Sequence, residues 1–278
     1  MDLDQSLNLT PGESLLLKDP ELARPSDLLK VTFADLLLKK AIKAEVQKKK
    51  FIFWTRKEIY VSVGESYSKI KFKLHERVIL DHITSSPKEL HMMAWDLRKT
   101  LERAYRYRDD YLRDPLMWKG YFRAEEGSIL WLFPHTKYVL TEKGLEAQDK
   151  IWSLLRQAKN LDIWVEENPA RAKAYLSVCG ANILLLSSKD LEIVKSCSKE
   201  LEKVEANTSS YYDYYWYDYT WRHNLVDDIE YDQTFDFNFM DFDLPEIDIL
   251  DSFDSLGSAF DSGFGGDGGG GDGGGGGD

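Results

Sequence analysis

Segments with helical spacing alternate with segments of strand-like composition through the first 145 residues. The opening segment LTPGESLLLK carries a helix-start signal: Thr10 is a candidate N-cap, Pro11 fits the first helical position, and Glu13 fits the third. Threonine followed three residues later by glutamate forms a capping box, and proline at the first turn costs no hydrogen bond. A helix is therefore predicted to begin at residue 11.

The following segment, PSDLLKVTFADLLLKKAI, predicts an amphipathic helix with lysines on its outer face. Two segments rich in β-branched and aromatic residues come next, AEVQKKKFIFWTRK at 44–57 and EIYVSVGES at 58–66. They predict a pair of strands that ends at Gly64. The helical positions spaced by three and four are Leu28, Leu29, Thr32, Phe33, Leu36, Leu37 and Lys40.

The same order is predicted again further along the chain. KLHERVILDHI predicts a helix, and Pro87 is expected to open one long helix that ends before Pro115. SILWLFPHTKYVLTEKG predicts two short strands with a turn at Pro134–His135. Two successions of helix, helix and hairpin indicate two winged-helix-like units, at 1–74 and 75–144.

Residues 142–206 are predicted to be entirely helical, and 145–206 form a helical extension of the two units. Asn168 and Pro169 fit a helix start, and a last helix is expected from Ser188. The fold class is therefore mainly α, or α+β, with short β-hairpins. The apolar side of the first extension helix is expected to comprise Leu145, Ile151, Leu154 and Leu155.

Charge divides the chain into two parts with opposite signs. The net charge is −12, but residues 207–278 hold 17 acidic residues and one basic residue, Arg222, for −16. Residues 1–206 hold the other 35 basic and 31 acidic residues, for +4. A mildly basic body is thus followed by a strongly acidic tail.

The sequence motifs indicate no metal, cofactor or catalytic centre. Cys179 and Cys197 are eighteen residues apart and are expected to be buried free thiols in a reducing compartment. HERVI at 75–79 lacks the second histidine of a zinc-peptidase helix, and no phosphate-binding loop precedes a helix. Without an apolar leader or a bilayer-length apolar run, the expected location is the cytoplasm.

Three segments carry resemblances to known families. YVLTEKGLE at 138–146 resembles the end of many winged-helix domains, where a wing strand leads into a Thr-capped helix. VEENPARAKAYLSVCGANILLL at 165–186 is similar to the helical end of uncharacterised bacterial proteins that finish in glycine-rich tails. The succession LTPGESLLL, VTFADLLLKKAIKAE and KLHERVILDHI is similar to a bacterial domain family and, more distantly, to the Golgi phosphoprotein family, a helical phosphoinositide-binding fold. These resemblances imply architecture and assign no ligand-binding residue.

The segment KKAIKAEVQKKKFIFWTRK at 39–57 is the main candidate binding site. Basic residues and aromatic residues are interleaved there, and in a strand Phe51 and Phe53 would face away from Ile52 and Trp54. Such a hairpin suits phosphates of nucleic acid or anionic lipid headgroups. The alternative is that the lysines only keep an edge hairpin soluble and unpaired. The candidate residues are Lys39, Lys40, Lys43, Lys48, Lys49, Lys50, Trp54, Arg56 and Lys57.

The tail at 207–278 combines acidic residues with aromatic residues and ends in glycine and aspartate. High negative charge without lysine predicts disorder, and the aromatic side chains would serve as adhesive contacts for a protein partner. The tail could also fold back over 39–57 and compete with an anionic partner. The candidate tail residues are Tyr214, Trp216, Trp221, Phe237 and Phe239.

The sequence therefore predicts a non-catalytic binding protein, an adaptor whose acidic tail serves protein interaction or autoinhibition. One alternative is binding of nucleic acid or anionic lipid through 39–57, and another is an enzyme of an unrecognised class. No cofactor is expected, a protein partner is, and the oligomeric state is left open.

Overall fold

The computed structural model describes residues 8–50, 55–84, 86–101, 103–129 and 133–207. This part of the chain is mainly helical with two small antiparallel sheets, as the predicted α+β class requires. None of its helices is both long enough and apolar enough to cross a membrane. Asn207, the first residue of the predicted tail, ends the last helix, and residues 208–278 lie outside the described residues, as do Trp54 and its three preceding residues.

The first helix begins where its capping signal places it. Helix α1 spans Pro11–Lys18, and the Thr10 side chain accepts a hydrogen bond from the Glu13 amide at 3.3 Å. The Glu13 carboxylate accepts from the Thr10 amide at 2.9 Å, which completes the capping box. The predicted start at residue 11 is confirmed.

Helix α2, Pro25–Leu38, stops earlier than its periodicity suggested. The chain turns sharply at Lys40, whose φ of 52° lies in the left-handed region, and the Ala41 amide donates to the Leu36 carbonyl at 3.0 Å. The apolar stripe through Leu28, Phe33 and Leu36 is fully buried, as expected. Assigning Lys40 to the helical stripe was wrong, because it belongs to the turn into the first strand.

The first sheet has three strands, ordered β1 (Ile42–Lys50), β2 (Thr55–Val63) and β3 (Lys88–Glu89). The hairpin was predicted, but the predicted division between its strands was wrong. Residues 55–57 belong to β2 and pair with 48–50, so the first strand ends at Lys50 and does not continue to Lys57. Pro87 does not open a helix either, since Lys88 and Glu89 pair with Val61 and Tyr60.

The predicted long helix is divided into segments. Helix α3 (Leu74–Leu80) precedes the sheet strand β3, and then come α4 (Leu90–Leu101), α5 (Ala104–Arg108), a π-helical turn (Asp109–Arg113) and α6 (Asp114–Trp118). The predicted end before Pro115 was wrong: Pro115 lies in the first turn of α6, where a missing amide proton costs little.

The second sheet is the hairpin of β4 (Phe122–Ile129) and β5 (Phe133–Leu140). Its predicted turn at Pro134–His135 was wrong, because Pro134 stands within β5 opposite Ser128. A two-stranded sheet consists of edge strands, which tolerate a proline that cannot donate to the ladder.

The last part of the described chain is helical, as predicted. It comprises α7 (Glu142–Gln157), α8 (Leu161–Glu167), α9 (Pro169–Cys179) and α10 (Ser188–Asn207), with short 3-10 turns between them. Thr141 caps α7 and Asn168 caps α9 through side-chain oxygens. Ile151, Leu154 and Leu155 are buried, but Leu145 is 51% exposed, so its assignment to the apolar side of α7 was wrong.

One hydrophobic cluster holds the described helices together. It takes residues from each of the predicted segments, which are thus packed against a shared core. The separation into units at 1–74, 75–144 and 145–206 stays a prediction. Representative members of the cluster are Leu16, Phe33, Leu97, Tyr107, Leu154, Tyr175 and Val194.

Candidate functional site

The predicted basic segment forms a two-stranded projection, the basic arm, which comprises β1 and β2 from Ile42 to Val63. Its base is fixed to the core by Ile42 and Val61, which are both buried. At the same end, the Gly64 amide donates to the Ala41 carbonyl at 2.8 Å. A side chain at Gly64 would collide with the Lys40 carbonyl oxygen, so glycine permits the two strands to approach each other where the arm leaves the body.

The register of the arm brings basic residues opposite one another. Lys48 stands opposite Lys57, and Lys49 stands opposite Arg56. With Lys50, which pairs with Thr55, five basic residues occupy the last three rungs before the connection. Like charges directly opposite across two strands are destabilising, so this arrangement opposes the formation of the hairpin that carries it.

Three lysines of the predicted set, Lys49 among them, have acidic neighbours. Lys43 contacts Glu45 at 3.1 Å and Lys40 lies 3.7 Å from Glu65, both on the exposed surface. Lys49 binds Glu58 at 2.5 Å and lies 5.4 Å from the Tyr60 ring. The hydrogen bond to Glu58 raises the pKa of Lys49 above its ordinary value, so the charge of this lysine persists at any physiological pH.

Lys39, the first residue of the predicted basic segment, lies in the body and not on the arm. Its ammonium group binds Asp35 at 2.7 Å and Glu76 at 2.6 Å, and both carboxylates are buried. Burial lowers the pKa of Lys39, but attraction to Asp35 and Glu76 outweighs burial and leaves the pKa raised. The positive charge of Lys39 is thus balanced inside the protein.

Lys39 is one member of a buried ionic network beneath the arm. The Glu76 carboxylate also accepts from the Lys73 amide at 2.6 Å, and the Lys73 ammonium binds Glu13 at 2.5 Å. Lys119, at the end of α6, binds the other Glu13 oxygen at 3.0 Å. The network therefore joins α1, α2, α3 and α6 at the place where the arm begins.

Burial and charge displace the pKa values of the network in opposite directions. Burial would raise the pKa of Glu13, but Lys73, His75 and Lys119 hold it at about 2. Burial raises the pKa of Asp35, with a smaller opposing effect from Lys39. Burial lowers the pKa of His75 to about 4, so its imidazole is neutral at pH 7 and shares a 2.9 Å hydrogen bond with Thr10.

The charged groups of this network are paired with one another. Asp35 retains one oxygen, Oδ1, that has no hydrogen-bond partner although the residue is fully buried. Within the described ranges, no group of three or more histidine, cysteine or carboxylate side chains is placed to hold a metal ion. Lys39 connects this network to the arm, which begins three residues later at Ile42.

The two cysteines are buried free thiols, as predicted. Burial raises the pKa of Cys179 to about 12, and its sulfur lies 3.7 Å from the Tyr175 hydroxyl. Burial also raises the pKa of Cys197. Both thiols are therefore protonated at neutral pH and unreactive as nucleophiles.

Of the nine predicted binding residues, the structure places three on the exposed surface with acidic neighbours and one in the buried network. For Lys48, Lys50, Arg56 and Lys57 it gives the backbone register, while Trp54 lies outside the described residues. The predicted tail contacts, Tyr214, Trp216, Trp221, Phe237 and Phe239, lie outside the described residues too.

Sequence analysis missed the buried network, although three local signals for it exist. Asp35 and Lys39 are separated by four residues within a helix, as are many ion pairs. Glu13 and Glu76 each stand three residues after the position that caps their helix. The long-range pairs, Lys39 with Glu76 and Lys73 with Glu13, have no counterpart in local spacing.

Comparison with protein-family models gives no match for this chain. Comparison with curated proteins gives no match either.

Proposed function

We propose that this protein is a non-catalytic binding protein, an adaptor that holds an anionic partner on its basic arm. The arm is nine residues long on each side and is anchored at its base by buried apolar residues and the ionic network. The acidic tail is its second interaction element, which binds a protein partner or covers the arm. The cytoplasm is the compartment that suits two free thiols.

The observation that supports this function is the opposition of like charges at the far end of the arm. Lys48, Lys49, Lys50, Arg56 and Lys57 lie within three rungs, about 10 Å along the strands at 3.4 Å per residue. Like charges directly opposite each other cost stability, and Glu58 offsets part of that cost by binding Lys49. An anion lying across the strands would offset the rest.

Phosphate groups are the anions that fit this arrangement. A phosphodiester backbone offers regularly spaced single charges, and neutralising them with lysine and arginine releases counterions and drives binding. Anionic lipid headgroups present the same chemistry at a surface. The proposal therefore specifies phosphate-bearing polyanions, and the experiment distinguishes nucleic acid from lipid.

The architecture inferred for the body supports the same function. If the body consists of two winged-helix-like units, as the resemblances imply, the basic arm corresponds to the wing of the first unit. Membership of the bacterial domain family with glycine-rich tails is likewise a proposal for this chain. The two hairpins, each followed by a helix, are what supports it.

The acidic tail is proposed to compete for the arm within one molecule. Its charge of −16 is larger than the charge of the five basic residues at the end of the arm, and the disorder that its composition predicts would let it reach the arm from the end of α10. Removing residues 208–278 from the full chain should therefore strengthen binding to an added polyanion at low salt. Unchanged affinity would contradict competition by the tail and leave the arm proposal standing.

Binding is tested with a four-residue arm variant and a matched control. The arm variant replaces Lys48, Lys50, Arg56 and Lys57 with glutamine, and the control replaces the exposed residues Lys150, Arg156, Lys159 and Lys189. Both remove three lysines and one arginine. We expect the arm variant alone to lose binding to a 20-base-pair DNA duplex or to phosphatidylserine vesicles. Equal loss in both variants, or retention in both, would contradict the proposal.

A further inference from the structure

Trp118 is the most exposed large apolar side chain of the described residues, at 91%. It is the last residue of α6, and the chain then turns through Gly120 at a φ of 78°. One exposed apolar side chain is common on protein surfaces and needs no explanation alone. Trp118 is different because it precedes Lys119, whose contacts link it to lysines of two other elements.

Three lysines define this second surface, which we call the lysine–tryptophan surface. Lys73 and Lys119 each bind one oxygen of the Glu13 carboxylate, and Lys119 is the neighbour of Trp118 in sequence. Lys143, from the first turn of α7, donates to the Lys119 carbonyl at 2.8 Å and lies 4.6 Å from the Tyr121 ring.

This surface carries more positive than negative charge in its contacts. Glu13 balances one of the three ammonium groups, and Lys143 binds a carbonyl and an aromatic ring instead of a carboxylate. Glu142 is exposed beside Lys143 and reduces the excess without removing it. Leu74, which follows Lys73, is 51% exposed and adds a second apolar group. An acidic segment with apolar residues is the ligand that complements these groups.

The chain itself enters the described structure at this surface. The Lys73 ammonium donates to the carbonyl of Asn8 at 3.3 Å, so the described chain begins beside Lys73. Their sequence, MDLDQSL, places Asp2 and Asp4 between Met1, Leu3 and Leu7. Seven extended residues reach at most about 25 Å, which keeps this segment close to the surface.

We infer that residues 1–7 bind the lysine–tryptophan surface, with Asp2 and Asp4 facing Lys119 and Lys143 and leucine side chains covering Trp118. The short connection through Asn8 gives this segment a high effective concentration, which the distant acidic tail lacks. The surface is thus a docking site for short acidic–apolar segments, and the amino-terminal segment is its resident ligand. This inference does not depend on the basic arm.

The test uses indole resonances of the full-length protein. Trp118 is assigned by its loss in Trp118→Phe, and nuclear Overhauser contacts are sought from its indole to the methyl groups of Leu3 and Leu7. We expect these contacts at low salt, and we expect a triple variant, Asp2→Asn, Leu3→Ser and Asp4→Asn, to abolish them and shift the Trp118 signal. The Trp95 signal, from a partly exposed tryptophan on α4, serves as the internal reference and should not move.

Two substitutions on α7 give a matched control. Lys143→Gln should shift the Trp118 signal towards its position in the triple variant, whereas Lys150→Gln, two turns further along the same helix, should leave it in place. A Trp118 signal that has the same position in the triple variant and in the wild type would overturn the inference. A signal that responds instead to removal of residues 208–278 would assign the surface to the tail, and this too would overturn it.

Discussion

The described part of the molecule contains two antiparallel hairpins of nearly equal length, and the charges that stand directly opposite each other differ between them. In β4–β5, Glu125 stands opposite Lys137, and Arg123 lies 2.8 Å from Glu125. In the basic arm, Lys48 stands opposite Lys57 and Lys49 opposite Arg56. Opposite charges across a hairpin stabilise it, and like charges oppose it. The directly opposed charges therefore favour the second hairpin and disfavour the end of the arm, where Glu58 binds Lys49 and offsets part of the repulsion.

The largest expected effect on stability comes from removing the charge of Lys39, which connects the base of the arm to the buried ionic network. Lys39→Met would leave Asp35 and Glu76 buried beside each other without their shared cation. Removing one partner from a buried ionic group costs roughly 3 kcal/mol of unfolding free energy. Urea denaturation measures it, and Lys43→Met, which removes an exposed pair on the arm, should change stability by less than about 1 kcal/mol. Similar values for the two variants would contradict the anchoring role.

The next largest effect is a dependence of the unfolding free energy on pH, which is caused by the buried histidine His75. The pKa of His75 is about 4 in the folded protein and about 6.5 when unfolded. A lowered folded pKa gives stability that is complete above pH 6.5 and is lost as the pH falls towards 4. The expected loss attributable to His75 is roughly 2 kcal/mol between pH 7.5 and pH 5.

This effect is isolated as a difference between two proteins. Asp35 has a raised folded pKa, so its contribution grows as the pH falls and partly conceals that of His75. Urea denaturation of wild type and His75→Gln at both pH values removes the contribution that they share. If wild type loses no more stability than the variant does on acidification, His75 is not buried in its neutral form.

A smaller effect is expected where the arm leaves the body. Gly64→Ala places a methyl group against the Lys40 carbonyl oxygen, and that backbone cannot move without disturbing the turn at Lys40. Forcing an extra methyl group into a closely packed site costs roughly 1 to 2 kcal/mol. Thermal unfolding should show a lower midpoint, and an unchanged midpoint would mean that the strands separate more easily at this point.

The smallest effect on stability is expected from two substitutions that exchange the charge patterns of the hairpins. Lys57→Glu gives the arm an opposite-charge pair with Lys48, and Lys137→Glu gives the second hairpin a like-charge pair with Glu125. The first should gain about 0.5 kcal/mol of unfolding free energy and the second should lose about as much, both at low salt. High salt should shrink both differences. Changes of the same sign would contradict the comparison.

Helix starts marked by a capping side chain were predicted correctly because they depend on neighbours, whereas the start expected at Pro87 was wrong. Thr10, Thr141 and Asn168 each accept a hydrogen bond from an amide three residues later, so the signal and the structure are both local. Both hairpins were predicted to exist, but the divisions between their strands were misplaced. β-Branched and aromatic residues continue through the connections, and composition does not mark where a chain reverses.

The candidate site was predicted in part. A cluster of basic residues was visible from composition. The repulsion within it depends on the strand register, which places Lys48 opposite Lys57 and Lys49 opposite Arg56. Lys39 does not belong to the exposed basic surface because it binds Glu76, which is thirty-seven residues away in the sequence. Only the folded chain shows this contact. The lysine–tryptophan surface similarly depends on the folded chain, which brings Lys73 and Lys143 close to Lys119.

The dependence of DNA affinity on salt concentration tests the central claim most directly. Each phosphate neutralised by the arm contributes about 0.9 to the slope of log affinity against log salt. The account predicts that replacing Lys48, Lys50, Arg56 and Lys57 with glutamine lowers this slope by about 3 to 4 units, while the matched body variant retains the wild-type slope. Equal slopes in the wild type and both variants would show that the like charges of the arm do not bind phosphate.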